Sequence, residues 1–297
     1  VIFDILWMQH RSAKEILAFV DVVGREALAS ALSERRGAIL ATAHIGNWEL
    51  SGLILGWLYI KHLLKDIRLW RQGTAPMTDL LTDDLLLWIT LAVILGGRLG
   101  QVLLYDPAYY FAHPADILQV WKGGMSFHGA LIGSGVAILL FARHFDVQAR
   151  SVMDLCCAAV AFGLFFGRVA NFINSEHWGR PTEAAMGMVF PNGGSMPRHP
   201  SQLYEAVLEG LVMFVILRIV THSMSGFKRP GLVTGVFLVW YAVARTICEF
   251  FREPEPVHAL NLGPFTAGQM YSIPMLLLGL WFIAKANREN EPQKAQA

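Results

Sequence analysis

A small set of polar residues sits in surroundings that should exclude them. Burying an Arg at a bilayer centre costs at least ~2.5 kcal/mol on insertion scales, so such residues face a bundle interior, a partner or a cavity. Arg98, Arg168 and Arg245 all lie inside apolar runs. Arg168, Asn171 and Asn174–Ser175 recur at helical spacing, and the stripe continues into Glu176. Tyr241, Arg245, Glu249 and Arg252 fall at i, i+4, i+8 and i+11, which is again one helical face. One reading is an internal ion-pair network in which Arg245 and Glu249 neutralise each other. The other is a surplus of positive charge, since few carboxylates are in view, and this suits an anionic phosphate, a lipid phosphate above all. His128, which follows Gly123-Gly-Met-Ser-Phe127, and His199 lie at the same depth as the Arg cluster. Each is either an interfacial residue or a group for proton transfer. No tight His/Cys/carboxylate spacing accompanies them, so neither metal nor cofactor is expected.

Helices must carry these groups. The 297-residue chain is 54% hydrophobic and 16% charged, with a mean hydropathy of +0.43, and it reads as a membrane protein. A net charge of +1 gives no global field for nucleic acid. Seven apolar segments can be marked, at 50–64, 85–105, 126–143, 152–174, 203–222, 231–251 and 265–285, the first of them short. Lys and Arg in the connections number twelve on one side and four on the other. Cytoplasmic loops keep the excess, so the C-terminus is expected in the cytoplasm and the Arg cluster toward the outer face. Small-residue pairs Gly129/Gly133, Gly163/Gly167 and Gly231/Gly235 read as close helix packing. Cys156, Cys157 and Cys248 read as small hydrophobes. Residues 175–200, rich in Gly, Pro and Asn, are long for a connection and read as a cap over the site. The expected fold is an all-α polytopic bundle of about seven transmembrane helices with a small periplasmic cap.

The start of the chain differs in kind. It opens on Val1 without a leader pattern and so reads as an excerpt. Residues 10–36 suggest an amphipathic soluble helix, and Gly37–Ala43 a short buried strand. The basic residues of this stretch break the charge alternation of the rest, which marks a foreign segment at 1–52 joined to a transmembrane unit at 53–297.

From about Leu53 onward, the chain resembles the prolipoprotein diacylglyceryl transferase family. The matching motifs are Gly96-Gly-Arg-Leu-Gly100, Gly123-Gly-Met-Ser-Phe-His-Gly129, Gly167-Arg-Val-Ala-Asn-Phe-Ile-Asn174 with Glu176 and Trp178-Gly-Arg180, Arg198-His-Pro-Ser-Gln-Leu-Tyr-Glu205, and Tyr241 through Arg245 and Glu249 to Arg252. The resemblance implies a bacterial inner-membrane enzyme with a site toward the periplasm. It would move the diacylglyceryl group of phosphatidylglycerol onto the lipobox cysteine of a prolipoprotein signal peptide, forming a thioether and releasing glycerol 1-phosphate. Its key positions fall on His128, Arg168, Asn171, Glu176, Tyr241, Arg245, Glu249 and Arg252, with His199 and Glu205 in support and Arg98 in the first motif. His128 is the expected base, and Arg168 and Arg245 the expected phosphate ligands. The family has Gly where this chain has Ala170 and Ser175, an aromatic where it has Gln101, and an Arg-Trp-Tyr-like stretch in a first helix that is missing here.

In that helix's place stands His44-Ile-Gly-Asn-Trp-Glu-Leu50, which resembles the lipid A acyltransferases, whose His-x4-Glu/Asp pair would be His44 and Glu49. Some fifty residues cannot build that family's core and groove, so acyl transfer is a minor alternative. A phospholipid-binding or transport protein without chemistry is another. A transporter would be expected to carry inverted repeats, and none is seen.

Overall fold

In the computed structural model, residues 48–120, 124–253 and 266–290 are described, without the side chains of residues 48–50, 104, 127, 128, 267 and 290. The expected soluble helix, the strand at 37–43 and His44 lie outside them. The described residues are helical and contain no strands. The main helices are α1 (Trp48–Lys65), α2 (Asp79–Gly100), α3 (Phe127–His144) and α4 (Ala149–Ile173). Ser201–Glu205, Ala206–Val212 and Met213–His222 run on as a single rod, α5, whose middle piece is π-helical. The last two are α6 (Leu232–Cys248) and α7 (Ala267–Asn290).

The surface is inside out relative to a water-soluble bundle. Leu95 on α2 and Leu277 on α7 are 63% and 62% exposed, while Glu205, Glu209 and Asp154 are fully buried. Apolar side chains outward and polar ones inward is the arrangement that hydrocarbon surroundings demand. Three stretches, Asp79–Leu103, Ala149–Ile173 and Gly268–Glu289, are long and apolar enough to cross a membrane. This is a membrane protein.

Helix α4 is central, with α1, α3, α5 and α6 packed on it. Backbone proximity does much of the joining, as expected where lipid gives helices no hydrophobic reason to associate. The Gly129/Gly133 pair of α3 meets Gly96 and Gly100 of α2. A Cβ at Gly129 would collide with the Gly96 carbonyl oxygen, and one at Gly133 would lie 2.5 Å from the Ala92 carbonyl oxygen. Gly235 of α6 likewise meets Gly279 of α7. The expectation fails at Gly167, where an added Cβ meets no described atom, and Gly231 serves a different purpose. Its φ of +98° starts α6, and the buried Asp154 carboxylate of α4 accepts from the amides of Gly231 (2.7 Å) and Thr234 (2.8 Å) and from the Thr234 hydroxyl (2.6 Å). Asp154 thus caps a helix other than its own, satisfying amides left without intrahelical partners.

Helix α1 is fixed sideways. Asp83 of α2 accepts from Trp57 Nε1 at 2.7 Å and pairs with Lys61 Nζ at 2.9 Å, while Gly52 lets α1 close onto Gly163 of α4. Where the chain turns, Trp70 donates to the Leu63 carbonyl and stacks on Phe227 at 4.4 Å.

The glycine seam sets the position of the first turn of α3, which carries His128. Gly129→Ala is expected to force α2 and α3 apart, lowering the apparent Tm of the detergent-solubilised protein by several degrees and abolishing activity. A small-to-large change in a tight core costs typically about 1–3 kcal/mol.

Candidate active site

Three helices converge on one buried ionic cluster. Helix α4 brings Arg168; α5 brings Glu205 and Glu209; α6 brings Tyr241, Arg245 and Glu249, with Arg252 one turn beyond. The approach of α5 to α4 depends on Gly210, where a Cβ would lie 2.6 Å from that of Phe165. The π-helical turn around Glu209 disturbs the regular backbone ladder, and Trp240 Nε1 of α6 donates to the Leu208 carbonyl there at 2.9 Å.

Glu205 is the node. Its Oε2 lies 3.0 Å from Arg168 Nε, and its Oε1 lies 3.1 Å from Arg245 Nη1 and 3.0 Å from Arg252 Nη1. Glu209 Oε2 pairs with Arg168 Nη2 at 3.2 Å. Glu249 Oε1 pairs with Arg245 Nη2 at 2.7 Å and rests against Gly268 at the start of α7, where any Cβ would strike the carboxylate. Tyr241, 9% exposed, lies within the field of Arg168, Arg245, Glu205 and Glu209.

The expected surplus of positive charge is therefore corrected. Arg168, Arg245 and Arg252 face three buried carboxylates, because leaving a guanidinium uncompensated inside a bundle costs more than supplying a partner. The ion-pair reading of Arg245 with Glu249 is part of what is found. The cluster still keeps an open hand. The side chains of Arg168 and Arg245 are 19% and 17% exposed, and Arg168 Nη1 has no partner among the described residues.

Other expected residues stand elsewhere. Arg98, expected among the substrate-binding residues, stands as a loop clamp: its guanidinium donates to the carbonyls of Ile117 (2.8 Å), Gly124 (3.0 Å), Gln119 (3.3 Å) and Asp116, and lies 4.9 Å from the Tyr110 ring. Asn171 Nδ2 donates to Glu176 Oε2 at 3.3 Å at the exposed end of α4. His199 does not join the guanidiniums. Its Nδ1 lies 3.2 Å from the Tyr204 hydroxyl, its ring packs on Phe251, and it lines an apolar cleft of about 370 Å³ with Met186, Tyr204, Val207, Leu208 and Cys248. His128 belongs to the first turn of α3, and its side chain lies outside the described residues.

The segment 174–200 folds back on the end of α6. Antiparallel bridges join Gly179 to Arg252, and Pro181 and Met188 to Arg198. Arg180 Nε donates to the Arg252 carbonyl at 2.8 Å, and Arg198 reaches the Gly193 and Gly179 carbonyls and Glu253. Ser175 stands at φ +56° just past α4, with Ser175 N–H donating to Phe172 O and Glu176 N–H to Asn171 O. This is the left-handed helix ending that favours glycine, which is the residue the resemblance placed there.

Glu209 and Asp154 went unremarked in the sequence. Each is a carboxylate inside an apolar run, and the cost argument applied to the arginines would have picked out both.

Fold and site together define an integral membrane protein with an internal ionic cluster beside an apolar cleft. The chain belongs to the prolipoprotein diacylglyceryl transferase family, which residues 40–285 match. It is 48% identical to the phosphatidylglycerol–prolipoprotein diacylglyceryl transferase of Nitrobacter winogradskyi, covering 86% of this chain and 87% of that one. It is 50% identical to the protein of that name from Nitrobacter hamburgensis, over 83% of each chain, and 46% to that from Rhizobium meliloti, over 83% and 89%. Residues 1–62 match the bacterial lipid A biosynthesis acyltransferases, so the two matches overlap over 40–62.

Glu205→Ala is expected to lower the unfolding free energy by about 3–5 kcal/mol, since it strips the buried Arg252 and the largely covered Arg168 and Arg245 of their shared partner; denaturant titration in detergent would measure it. Ser175→Gly is expected to raise stability by about 1 kcal/mol, by relieving the left-handed backbone, in the same titration.

Proposed function

We propose that this chain transfers the diacylglyceryl group of phosphatidylglycerol to the lipobox cysteine thiol of prolipoprotein signal peptides, at the periplasmic face of the bacterial inner membrane. Helices α1 to α7 cross the bilayer, the C-terminus is cytoplasmic, and residues 175–200 cap the site. The excess of Lys and Arg at the opposite end of the helices supports this orientation. Residues 1–52 are a foreign acyltransferase-like piece, and 53–297 the transferase unit.

One observation carries the reading. Arg168 and Arg245 converge on Glu205 yet keep 19% and 17% of their side chains exposed. The guanidinium fork suits a phosphate oxygen, and the neighbouring cleft is lined by apolar side chains fit for an acyl chain.

The sulfur attacks the glyceryl carbon that carries the phosphate ester. A carbon–sulfur bond forms, the carbon–oxygen bond breaks, and its electron pair stays on the phosphate oxygen, so that glycerol 1-phosphate departs. His128 takes the thiol proton, since the thiolate is the nucleophile. Arg168 and Arg245 stabilise charge as it gathers on the phosphate, and their effect is strong because the site is poor in water. Glu205 and Glu249 hold Arg245 in place with Tyr241 in the same field, and Arg252, whose carbonyl accepts from Arg180 of the cap, links the cap to Glu205. Asn171 and Glu176 contact the headgroup at the end of α4.

The test is lipidation of a lipobox peptide by the purified chain in phosphatidylglycerol liposomes, read by mass. A peptide heavier by one diacylglyceryl group, with release of glycerol 1-phosphate, is the expected result. Arg168→Ala is expected to cost about 10²–10³ in kcat, as for other donors to developing charge. Phosphatidylglycerol binding without glycerol phosphate release would overturn the reading in favour of a lipid-binding protein.

A further inference from the structure

Among the described residues, a phosphodiester reaching this cluster meets three guanidiniums already matched by three carboxylates. Its charge would leave the cluster one negative charge in excess, in a place where an uncompensated charge is expensive. One carboxyl must then be neutral, and the geometry says which. Glu205 touches Arg168, Arg245 and Arg252 at 3.0–3.1 Å. Glu249 is 2.7 Å from Arg245 and also abuts the start of α7. Glu209 has one close cation, Arg168 at 3.2 Å; its other oxygen, Oε1, is 4.0 Å from Arg245 Nη1 and has no hydrogen-bond partner among the described residues, although the residue is 0% exposed. A phosphate that draws Arg168 toward itself takes away the one close cation Glu209 has. The groups facing Glu209 are Arg168 of α4, Glu205 on its own helix, and Tyr241, Arg245 and Cys248 of α6.

We propose that Glu209 is the group that carries a proton while the lipid phosphate is held, so that headgroup binding and a neutral Glu209 carboxyl are one event. This rests on the phospholipid reading of the site. Glu209 acts through the charge balance around Arg168 and is a positioning residue. A neutral Glu209 also loosens its hold on Arg168 Nη2, which can turn toward the phosphate.

The experiment uses the full chain in detergent with a short-chain phosphatidylglycerol. A phosphodiester keeps its single charge across the working range, so a pH-dependent KM for it reports the protein. For the wild type, KM is expected to rise about tenfold per pH unit between the titration of Glu209 in the free protein and its titration in the complex, as binding linked to uptake of one proton requires, with kcat little changed. For Glu209→Gln, whose amide mimics the neutral acid, KM stays level across that range. Lipid binding to the wild type is also expected to bring up the infrared carbonyl stretch of a protonated carboxylic acid, shifted by carboxyl-¹³C glutamate labelling and absent in Glu209→Gln. If Glu209→Gln fails to fold, Glu209→Asp decides: the KM slope persists and the band loses its shift from labelled glutamate. A slope and band unchanged in Glu209→Gln, or a band still shifted in Glu209→Asp, overturns the proposal. A wild type that binds the lipid with neither slope nor band overturns it while leaving the phospholipid reading intact. A wild type that does not bind the lipid overturns both.

Discussion

A carboxylate with no solvent exposure holds three guanidiniums within 3.1 Å, and the interior of this bundle is arranged around that contact. Glu205 can be ionised there only because Arg168, Arg245 and Arg252 surround it, and they can be buried only because it and its two acidic neighbours are present. The requirement is mutual, and it ties α4, α5 and α6 into one unit with a preferred rotation for each. A helix turned by a fraction of a turn would strand a charge in hydrocarbon. The glycine contacts at Gly210, Gly96, Gly129 and Gly235 serve the same end, bringing backbones close enough for short side chains and carbonyls to meet.

Much of this was legible in the sequence, for definite reasons. Segment boundaries were readable because hydropathy and helix length are constrained together in a membrane, and each expected segment coincides with a helix among the described residues. The stripe Tyr241, Arg245, Glu249, Arg252 was readable because helical spacing is fixed. The pairing was not. Which carboxylate meets which guanidinium depends on contacts between helices, and neither spacing nor composition carries that. The same gap explains Arg98. It looked like Arg168 in its setting, yet its donors go to loop carbonyls from Asp116 to Gly124, which only the folded path of that loop brings into reach. His199 likewise shares a depth with the arginines but faces the apolar cleft. The π-helical turn at Ala206–Val212 leaves no mark in residue types at all.

The two family matches give the chain a composite character, and its described part shows how the shared region is tied in. The first helix begins within the overlap of the matches and is held by Asp83 and by the Gly52–Gly163 approach. These ties come from residues of α1, α2 and α4. Among the described residues, the ion pairs of the cluster join α4, α5 and the end of α6.

Asp154 has a mechanical meaning. By gripping the first turn of α6 from α4, it makes that end of the helix a hinge pin. Arg245 rides about 16 Å further along the rod, at 1.5 Å per residue. Any swing of α6 about the pin is therefore slight at Thr234 and greatest at the guanidinium. The ion pairs of Arg245 with Glu205 and Glu249 stand at that far end, so the helix is tied to the bundle at both ends.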